Sequence, residues 1–520
     1  MTNSILWKIQ NIIITLLFLL AVFIPFVLGF ISRDLAISQT EKRSLAQLPA
    51  FPSKVDDFKE YPSLFDSYYS DHFGLRNVFV ASYKKLKYQL GDSPSTHVTI
   101  GKDGWLFLGS IRKNYSHHKD PIGDYRNINL YSQDELKQMV VYMKTIKHFL
   151  SGQGIEYLFV IAPNKHTIYF DKLPNYMVKD NEFSATDQLV NYLREHTDVT
   201  VVDLRESLLK AKSEHQIYYK SDTHWNHFGA NVAQYEIMKE IELMFPDKIH
   251  AESQNMVIKQ RITSGDLGSF MGIYDLKDIH PEPVFNIDDN SLRVSGQIYD
   301  RLPCIYQSKT GQLKALVFRD SFFNYLVPYF ARKFEYSVYL LGKLNAEQLI
   351  KYIELAKPDI VIEEWVERAL PHVSYLGELY SLNNRMIFEH SNTTLFSNEW
   401  NKVSANKYVD IGIGKQNDLF LKIKGKYPIA MLEPLDVVST QKYVVKITVE
   451  SGSNSKIVLY NADVPTPGVY NCFQRAVVRK GANDIYLLFD KEPLGRYFRL
   501  AFMNAAETFR VSSLEIKQVN

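Results

Sequence analysis

The chain has 520 residues, of which 46% are hydrophobic and 23% are charged. This length exceeds what one compact core fills and predicts two or three domains, while the composition excludes a disordered chain. The formal net charge of +2 gives no general basic field. Because no basic stripe alternates with aromatic residues either, nucleic acid is excluded as an expected partner.

The N-terminal segment is predicted to span a membrane. No charged residue occurs from Ile9 to Ser32, and a helix of this length crosses a hydrocarbon core of about 30 Å. The length of the run and the lack of a small-x-small cleavage site favour an uncleaved anchor over residues 1–33. Lys8 and the terminal amine precede the run, which places the N-terminus in the cytoplasm and the bulk of the chain outside, in the periplasm or at the cell surface.

Residues 34–400 are predicted to form an α/β domain. The segment VTIGKDGWLFLGS is typical of two short strands joined at Asp103 and Gly104, because an Asp-Gly pair accepts positive φ. Further along, helical patterns alternate with apolar runs, and the runs predict strands at Tyr157–Ala162, Val199–Leu204, Leu313–Phe318, Tyr336–Leu341 and Asp359–Glu364. Continuous apolar strands separated by helices indicate a parallel sheet with helices on both faces.

Residues 401–520 are predicted to form an antiparallel β-sandwich, because apolar and polar residues alternate there between turn signals. The two cysteines, Cys304 and Cys472, fall in different predicted domains. Isolated thiols are therefore expected rather than a disulfide, and the pair has no metal-ligand spacing. No metal and no cofactor are expected.

The motif SDTHWNHFGA, from Ser221 to Ala230, places an aspartate and a histidine two positions apart just before a predicted helix. A serine hydroxyl becomes a nucleophile when a histidine removes its proton and a carboxylate fixes the histidine tautomer. Ser321 follows the predicted strand that ends at Phe318, and the carboxyl ends of parallel strands are where reactive groups collect. The sequence therefore predicts a catalytic triad of Ser321, His224 and Asp222.

Each member of this triad also has a structural interpretation. A serine between a strand and a helix is often only an N-cap, and Asp222, His224 and His227 together have the residue types of a metal site. Asp320 competes with Asp222 for the acidic role. It ranks lower because the side chain of a neighbouring residue in an extended segment points away from the serine.

Other candidates follow a second strand end and flank the triad motifs. In APNKHTIY, loop capping is the favoured role of Asn164 and Lys165. The functional alternative is that Asn164 donates to an oxyanion and Lys165 contacts an anionic sugar. The aromatic residues Trp225 and Tyr325 are candidate substrate contacts. The glycine-rich segment GDLGSFMG is expected to border the cleft, although it lacks the spacing of a phosphate-binding loop.

These motifs, taken together and in order, resemble the SGNH-hydrolase-like acetyltransferases of bacterial exopolysaccharide systems, the alginate O-acetyltransferase group. The resemblance runs from about Glu41 to Glu389 through EKRSLAQLP, SDHFGLR, IGKDGWLFL, APNKHTIY, SDTHWNHFGA, the segment around Ser321 and PDIVIEEWVER. The chain departs from the family where Arg319 and Asp320 stand in place of a small-residue turn before the serine.

The resemblance implies extracytoplasmic transfer of acetyl groups onto polysaccharide hydroxyls. It also implies that a polytopic membrane O-acyltransferase supplies the acetyl donor and that the C-terminal sandwich is similar to a carbohydrate-binding module. The expected mechanism is ping-pong, with Ser321 taking the acetyl group and His224 acting as base in both half-reactions. The alternatives are a carbohydrate acetylesterase with the same triad, and a non-catalytic polysaccharide-binding scaffold of an export complex.

Overall fold

The structure is a computed structural model. It describes residues 2–31, 36–38, 43–110, 120–252, 257–284, 291–298, 302–370, 376–425, 428–438, 440–466, 470–490, 494–503 and 508–519. The first residue and the last two residues of the predicted anchor lie outside this part of the chain.

A long apolar helix opens the chain and is followed by two short strands and a helical hairpin. These elements are α1 (Thr2–Ile31), β1 (Ile37–Ser38), β2 (Arg43–Ser44), α2 (Asp57–His72) and α3 (Arg76–Gln89). Within α1, the span Trp7–Gly29 is long and apolar enough to cross a membrane. It is the one such helix among the residues described, and a signal sequence near an N-terminus has the same properties.

The central region alternates strands and helices as its sequence pattern predicts. Its elements are β3 (Val98–Ile100), β4 (Leu106–Leu108), α4 (Pro121–Tyr125), α5 (Gln133–Ser151), β5 (Glu156–Ala162), α6 (Lys165–Ile168), α7 (Ala185–His196), β6 (Thr200–Asp203), α8 (Arg205–Ala211), α9 (His227–Met244), β7 (Val257–Thr263), α10 (Asp266–Met271), β8 (Asp278–Val284), β9 (Ser291–Ser295), β10 (Cys304–Ser308), β11 (Leu313–Arg319), α11 (Val327–Lys333), β12 (Phe334–Leu341), α12 (Ala346–Ala356), β13 (Ile360–Val366) and α13 (Leu376–His390). The turn between β3 and β4 has positive φ at Asp103 and Gly104, as predicted.

The central sheet is mixed rather than purely parallel. Its seven strands run in the order β6-β5-β13-β11-β12-β10-β9, and the first five are parallel to one another. These five are the strands predicted from the apolar runs. At the other edge, β10 pairs antiparallel with β12 and β9 antiparallel with β10, which corrects the prediction of an all-parallel sheet.

Helices cover both faces of the sheet. Successive strand residues enter different cores because their side chains point to opposite faces. In β5, Leu158 and Val160 belong to a core that α9 and α11 help to close, whereas Tyr157 and Phe159 belong to a second core packed by α5, α7 and α12. The helices begin at sequence-encoded caps. Ser132 and Glu135 form a capping box on α5, and the Asn226 side chain accepts hydrogen bonds from two backbone N–H groups at the start of α9.

The C-terminal region is two antiparallel sheets around a common core. Its strands are β14 (Thr393–Ser397), β15 (Val403–Ala405), β16 (Val409–Ile413), β17 (Leu419–Ile423), β18 (Ile429–Leu432), β19 (Tyr443–Ser451), β20 (Ser455–Ala462), β21 (Cys472–Val478), β22 (Gly481–Phe489), β23 (Tyr497–Met503) and β24 (Thr508–Gln518). One sheet has the order β16-β17-β24-β19-β22 with β14 beside β24, and the other has the order β15-β18-β23-β20-β21. Phe396 and Trp400, which precede residue 401, pack into the core between these sheets. Neither Cys304 nor Cys472 forms a disulfide.

Candidate active site

Ser321 lies at the carboxyl edge of the sheet, two residues after β11 ends at Arg319. Its backbone has ordinary helical angles, φ −72° and ψ −17°, and a 3₁₀ helix over Phe322–Tyr325 follows it. The turn therefore exposes the serine without the strained backbone that would mark a distorted site.

Asp320 fixes this turn rather than serving the histidine. Its two carboxylate oxygens accept hydrogen bonds from the backbone N–H groups of Phe322 and Val366, each at 2.8 Å. Its own N–H donates to Glu364 Oε2 at 3.0 Å. Burial and the adjacent Asp320 hold the pKa of Glu364 well above its usual range. The hydrogen bond from Val366 to Asp320 ties the Ser321 turn to the end of β13.

Asp222 and His224 lie on a short loop closed by an isolated bridge between Tyr218 and Trp225. The loop approaches Ser321 from the side of α9, whose first residue follows the cap Asn226. The Trp225 indole N–H donates to the Phe322 carbonyl at 3.1 Å, which joins the histidine loop directly to the serine turn.

The structure brings Ser321, His224 and Asp222 into one hydrogen-bonded row. Ser321 Oγ lies 2.7 Å from His224 Nε2, and His224 Nδ1 lies 2.7 Å from Asp222 Oδ1. The side chains of His224 and Asp222 are only 16% and 19% exposed. Burial raises the pKa of Asp222, but hydrogen bonds from His224 and from the Asp266 backbone N–H outweigh it and lower the pKa to about 2. The carboxylate is therefore ionised and oriented to hold a proton on His224 Nδ1.

Two acidic residues that the sequence did not reveal support this loop. Asp266 accepts hydrogen bonds from the Thr223 N–H at 2.8 Å and the Thr223 hydroxyl at 2.6 Å, and its own N–H donates to Asp222 Oδ2 at 3.0 Å. Asp278 accepts from the Lys220 N–H at 2.6 Å.

Asp266 belongs to GDLGSFMG, and a Cβ on the preceding Gly265 would lie 1.9 Å from the Ser221 carbonyl oxygen. The glycine thus permits the close approach that places Asp266 against Asp222 and Thr223.

Lys165 is buried beneath the same loop and is not available to an anionic sugar. Its Nζ donates to the carbonyl oxygens of Tyr219, Lys220 and Asp222 at 3.0, 3.1 and 2.6 Å. Burial lowers the pKa of Lys165 to about 7, against the attraction of Asp222, Asp266 and Asp278. These contacts match the favoured loop-capping role of Lys165 and not the sugar contact.

Asn164 lies two residues after the end of β5 and contacts two charged residues. Its backbone N–H donates to Glu367 Oε2 at 2.8 Å and its Oδ1 accepts from Arg368 at 3.1 Å. The Arg368 guanidinium also lies 5.2 Å from the centre of the ring of Phe322, the residue after Ser321. Asn164 Nδ2 is buried and has no hydrogen-bond acceptor among the described residues, so it is a donor that the described part of the chain leaves unsatisfied.

The two predicted aromatic contacts have different positions. Trp225 is fully buried, so its role is to hold the two site loops together, and the prediction of a substrate contact is wrong. Tyr325 is half-buried, and its ring centre lies 6.0 Å from that of His224 and 5.4 Å from that of His227. Tyr325 therefore borders the space above the triad.

A metal ion is a poor fit to the acidic cluster. Asp222, His224 and Asp266 bring potential ligand atoms within 4.8 Å of one another, whereas His227 is not part of that group. However, the Asp222 and Asp266 oxygens already accept N–H or O–H hydrogen bonds from Thr223, His224 and Asp266. A cation would have to displace these fixed donors, so the arrangement suits an imidazole and not a metal.

In sequence, the chain is similar to SGNH hydrolase-like proteins of the acetyltransferase type. The family model described as "SGNH hydrolase-like domain, acetyltransferase AlgX" matches residues 98–296, a stretch that includes Asp222 and His224 and ends before Ser321. The resemblance to the alginate O-acetyltransferase group predicted from the motifs is therefore confirmed.

Three relatives illustrate this similarity. The chain is 24% identical over 250 residues to the probable alginate O-acetylase AlgJ of Pseudomonas aeruginosa, covering 46% of this chain and 59% of that protein. It is 23% identical over 347 residues to the protein of the same name from Pseudomonas syringae, covering 60% of this chain and 79% of that protein. The solved O-acetyltransferase domain of Pseudomonas putida AlgJ is 16% identical with a TM-score of 0.36, and the comparison covers 55% of this chain and 99% of that domain. The match to the first relative thus spans less than two thirds of its length.

Proposed function

We propose that this protein transfers acetyl groups onto hydroxyls of an extracytoplasmic polysaccharide through an acetyl-Ser321 intermediate. The observation that carries the proposal is the hydrogen-bonded row from Ser321 Oγ through His224 to Asp222, with 2.7 Å at each step. The similarity to proteins named as probable alginate O-acetylases supports the choice of acetyl as the acyl group and of polysaccharide as the acceptor.

In the first half-reaction, Ser321 Oγ attacks the carbonyl carbon of an acetyl ester while His224 Nε2 takes the hydroxyl proton. Asp222 stabilises the imidazolium that forms. The negative charge on the carbonyl oxygen is received by the Asn164 Nδ2 donors, which are buried and unused among the described residues. His224 then gives its proton to the departing alcohol, which leaves acetyl-Ser321.

In the second half-reaction, a sugar hydroxyl replaces the departed alcohol. His224 removes the proton of this hydroxyl as its oxygen attacks acetyl-Ser321, and returns the proton to Ser321 Oγ as the ester bond breaks. The products are an acetylated sugar and free enzyme. Water in place of the sugar would make the protein an acetylesterase.

Transfer and hydrolysis are separated by supplying an acetyl ester with and without an oligosaccharide acceptor. An acidic oligosaccharide such as an alginate fragment is the first choice, because relatives carry that name. We expect acetylated oligosaccharide to form and ester hydrolysis to fall as the acceptor is added, measured by mass spectrometry. Hydrolysis that is unaffected by the acceptor, with no acetylated product, would favour the esterase.

We propose that residues 1–33 anchor the protein in the membrane and that residues 34–400 form the catalytic part outside it. The apolar span Trp7–Gly29 supports an anchor, although a signal sequence has the same composition. A membrane-bound O-acyltransferase on the same membrane is proposed as the source of the acetyl group. An anchored enzyme would receive it at the membrane surface.

We propose that residues 401–520 bind the glycan through an aromatic cluster on β20 and β21. Tyr460 lies opposite Phe473 across these strands, and Tyr470 completes the cluster with ring centres 5.1 and 5.6 Å away. Tyr470 and Phe473 are exposed, and the Arg475 guanidinium lies 4.6 Å from the Phe473 ring centre. Exposed rings flanked by a cation suit the apolar faces and the carboxylates of acidic sugars.

Replacing Tyr470 and Phe473 together by alanine is expected to weaken glycan binding roughly tenfold, which corresponds to about 1.4 kcal/mol. Binding of the full chain to defined oligosaccharides is measured by calorimetry. Phe420→Ala is the matched control, because Phe420 is also exposed but lies on β17 of the opposite sheet. Equal binding by the double variant and the control would contradict this site.

A further inference from the structure

The hairpin of α2 and α3 carries an apolar surface that no described part of the protein covers. Neither helix has a buried residue. Along α3, Phe79, Tyr83, Leu86 and Leu90 are 52%, 60%, 54% and 75% exposed. Their spacing of four, three and four residues places them on one face, which we call the α3 stripe. Isolated exposed apolar residues are ordinary, but a stripe of this length indicates a covering partner.

A row of aromatic residues also lies along α2 and the segment before it. Phe51 lies 6.3 Å from Phe58 and 5.8 Å from Tyr61 between ring centres, and Tyr61 lies 6.1 Å from Phe65. At the other end of the hairpin, the Phe73 ring lies 6.3 Å from that of the stripe residue Phe79. The row on α2 is thus aromatic, and the α3 stripe consists of two aromatic residues and two leucines.

The α3 stripe is not the face by which α3 contacts the rest of the protein. Tyr88, on another side of the helix, packs against the small core that includes Val98 and Leu106. Lys85 forms an ion pair with Asp275 at 2.5 Å. One side of α3 therefore contacts the proposed catalytic part, and the α3 stripe lies on the opposite, exposed side.

The turn between α2 and α3 packs against the end of the apolar span of α1. A Cβ on Gly74 would lie 2.2 Å from the Pro25 carbonyl oxygen and 2.7 Å from the Gly29 nitrogen, so only glycine allows this approach. The turn is also fixed from the other side, because the Arg43 guanidinium pairs with Asp71 and His72 Nε2 lies 2.9 Å from the Ala46 carbonyl oxygen. These contacts join the motifs EKRSLAQLP and SDHFGLR.

This packing sets the height of the hairpin relative to a membrane. The 23-residue span Trp7–Gly29 is about 34 Å long at helical rise, so Gly29 would lie where α1 leaves the hydrocarbon core. The interface at that level is where aromatic side chains are enriched and where amphipathic helices bury their apolar face. The exposed surface of α1 and the α3 stripe would then contact the same bilayer.

We propose that the α2–α3 hairpin lies in the outer interface of the phospholipid bilayer, with the α3 stripe inserted among the lipids. The inference rests on the proposed anchoring by α1 and goes beyond it, since an anchor alone leaves the catalytic part free to tilt on its connector. A second contact through the hairpin fixes which side of the catalytic part faces the membrane.

The test uses the full chain with Cys472 replaced by serine, reconstituted into phospholipid vesicles. A nitroxide is attached at Tyr83→Cys on the stripe, or at Ala81→Cys, an exposed position of α3 about 160° around the helix from Tyr83. We expect the label at position 83 to collide more often with lipid-soluble oxygen and several-fold less often with a water-soluble nickel chelate than the label at position 81.

Equal access of the nickel chelate at both positions would overturn the proposal. A label at Phe18→Cys in α1 then separates the two possible failures: an aqueous label there shows that α1 does not insert, and a lipid-exposed label there shows that the hairpin alone stands away from the bilayer. If position 83 is aqueous in lipid vesicles but protected in native membranes, a protein covers the stripe, and the bilayer proposal is equally overturned.

Discussion

Replacing Ser321 by alanine is expected to lower acetyl transfer by about 10⁴-fold or more, because the variant has no atom that can carry the acetyl group. The hydroxyl lost is the one whose oxygen lies 2.7 Å from His224 Nε2. The fold should be unaffected, since the backbone contacts of Asp320 that fix the turn do not involve the serine side chain. The measurement is the initial rate of oligosaccharide acetylation, with circular dichroism as a check on folding.

Ser93→Ala is the matched control for this variant. Ser93 follows Gly91 and Asp92 in a sequence that looks like a nucleophile motif, yet it lies after α3, and its hydroxyl donates to the Ser95 carbonyl. We expect the Ser93→Ala protein to retain the wild-type rate. A Ser321→Ala protein that keeps a tenth of the wild-type rate would exclude Ser321 as the nucleophile.

Replacing Asp222 by asparagine is expected to lower the rate by about 10⁴-fold while leaving the fold intact. Asp222 Oδ1 accepts from both the backbone N–H and Nδ1 of His224, and Oδ2 accepts from the Asp266 N–H. An asparagine side chain has only one oxygen to accept from these three N–H donors, and its NH₂ group is itself a donor. It therefore favours the histidine tautomer that carries its proton on Nε2, and this tautomer cannot remove the serine proton. The pKa of about 2 means that the wild-type carboxylate stays charged throughout ordinary assay conditions.

Asp266→Asn is the comparison that separates the two carboxylates. The Asp266 side chain contacts Thr223, whereas its link to Asp222 is made by a backbone N–H that the substitution keeps. We expect a loss of about 10- to 100-fold, which reflects a less firmly held loop. If both variants lost the same factor in the acetylation rate, Asp222 would be one of several supports rather than the partner of the histidine.

The triad candidates were predictable from sequence because each has a strong local signal. Ser321 follows an apolar run that is typical of a buried strand, and Asp222 and His224 are two positions apart before a capped helix. The five parallel strands were predictable for the same reason, since each is continuous and apolar. The antiparallel strands β9 and β10 were not, because CIYQS and SLRVS are short and mixed in polarity.

The residues that support the site were not predictable because their partners are distant in sequence. Nothing near Asp266 or Asp278 shows that they accept hydrogen bonds from the loop at residues 220–223. Lys165 was a candidate ligand contact because it follows a predicted strand, and Trp225 because it is next to His224. The sequence does not show that three backbone carbonyl groups accept hydrogen bonds from the Lys165 amine. Nor does it show that the Phe322 carbonyl accepts one from the Trp225 indole.

The most direct test of the proposed acyl transfer is to incubate the protein with an acetyl ester in the absence of acceptor, quench with acid and map the acetyl group by peptide mass spectrometry. The account predicts one acetyl group on Ser321, which disappears when oligosaccharide is added before quenching. Acetylated oligosaccharide produced at the wild-type rate with no acetyl on Ser321 at any time would contradict it.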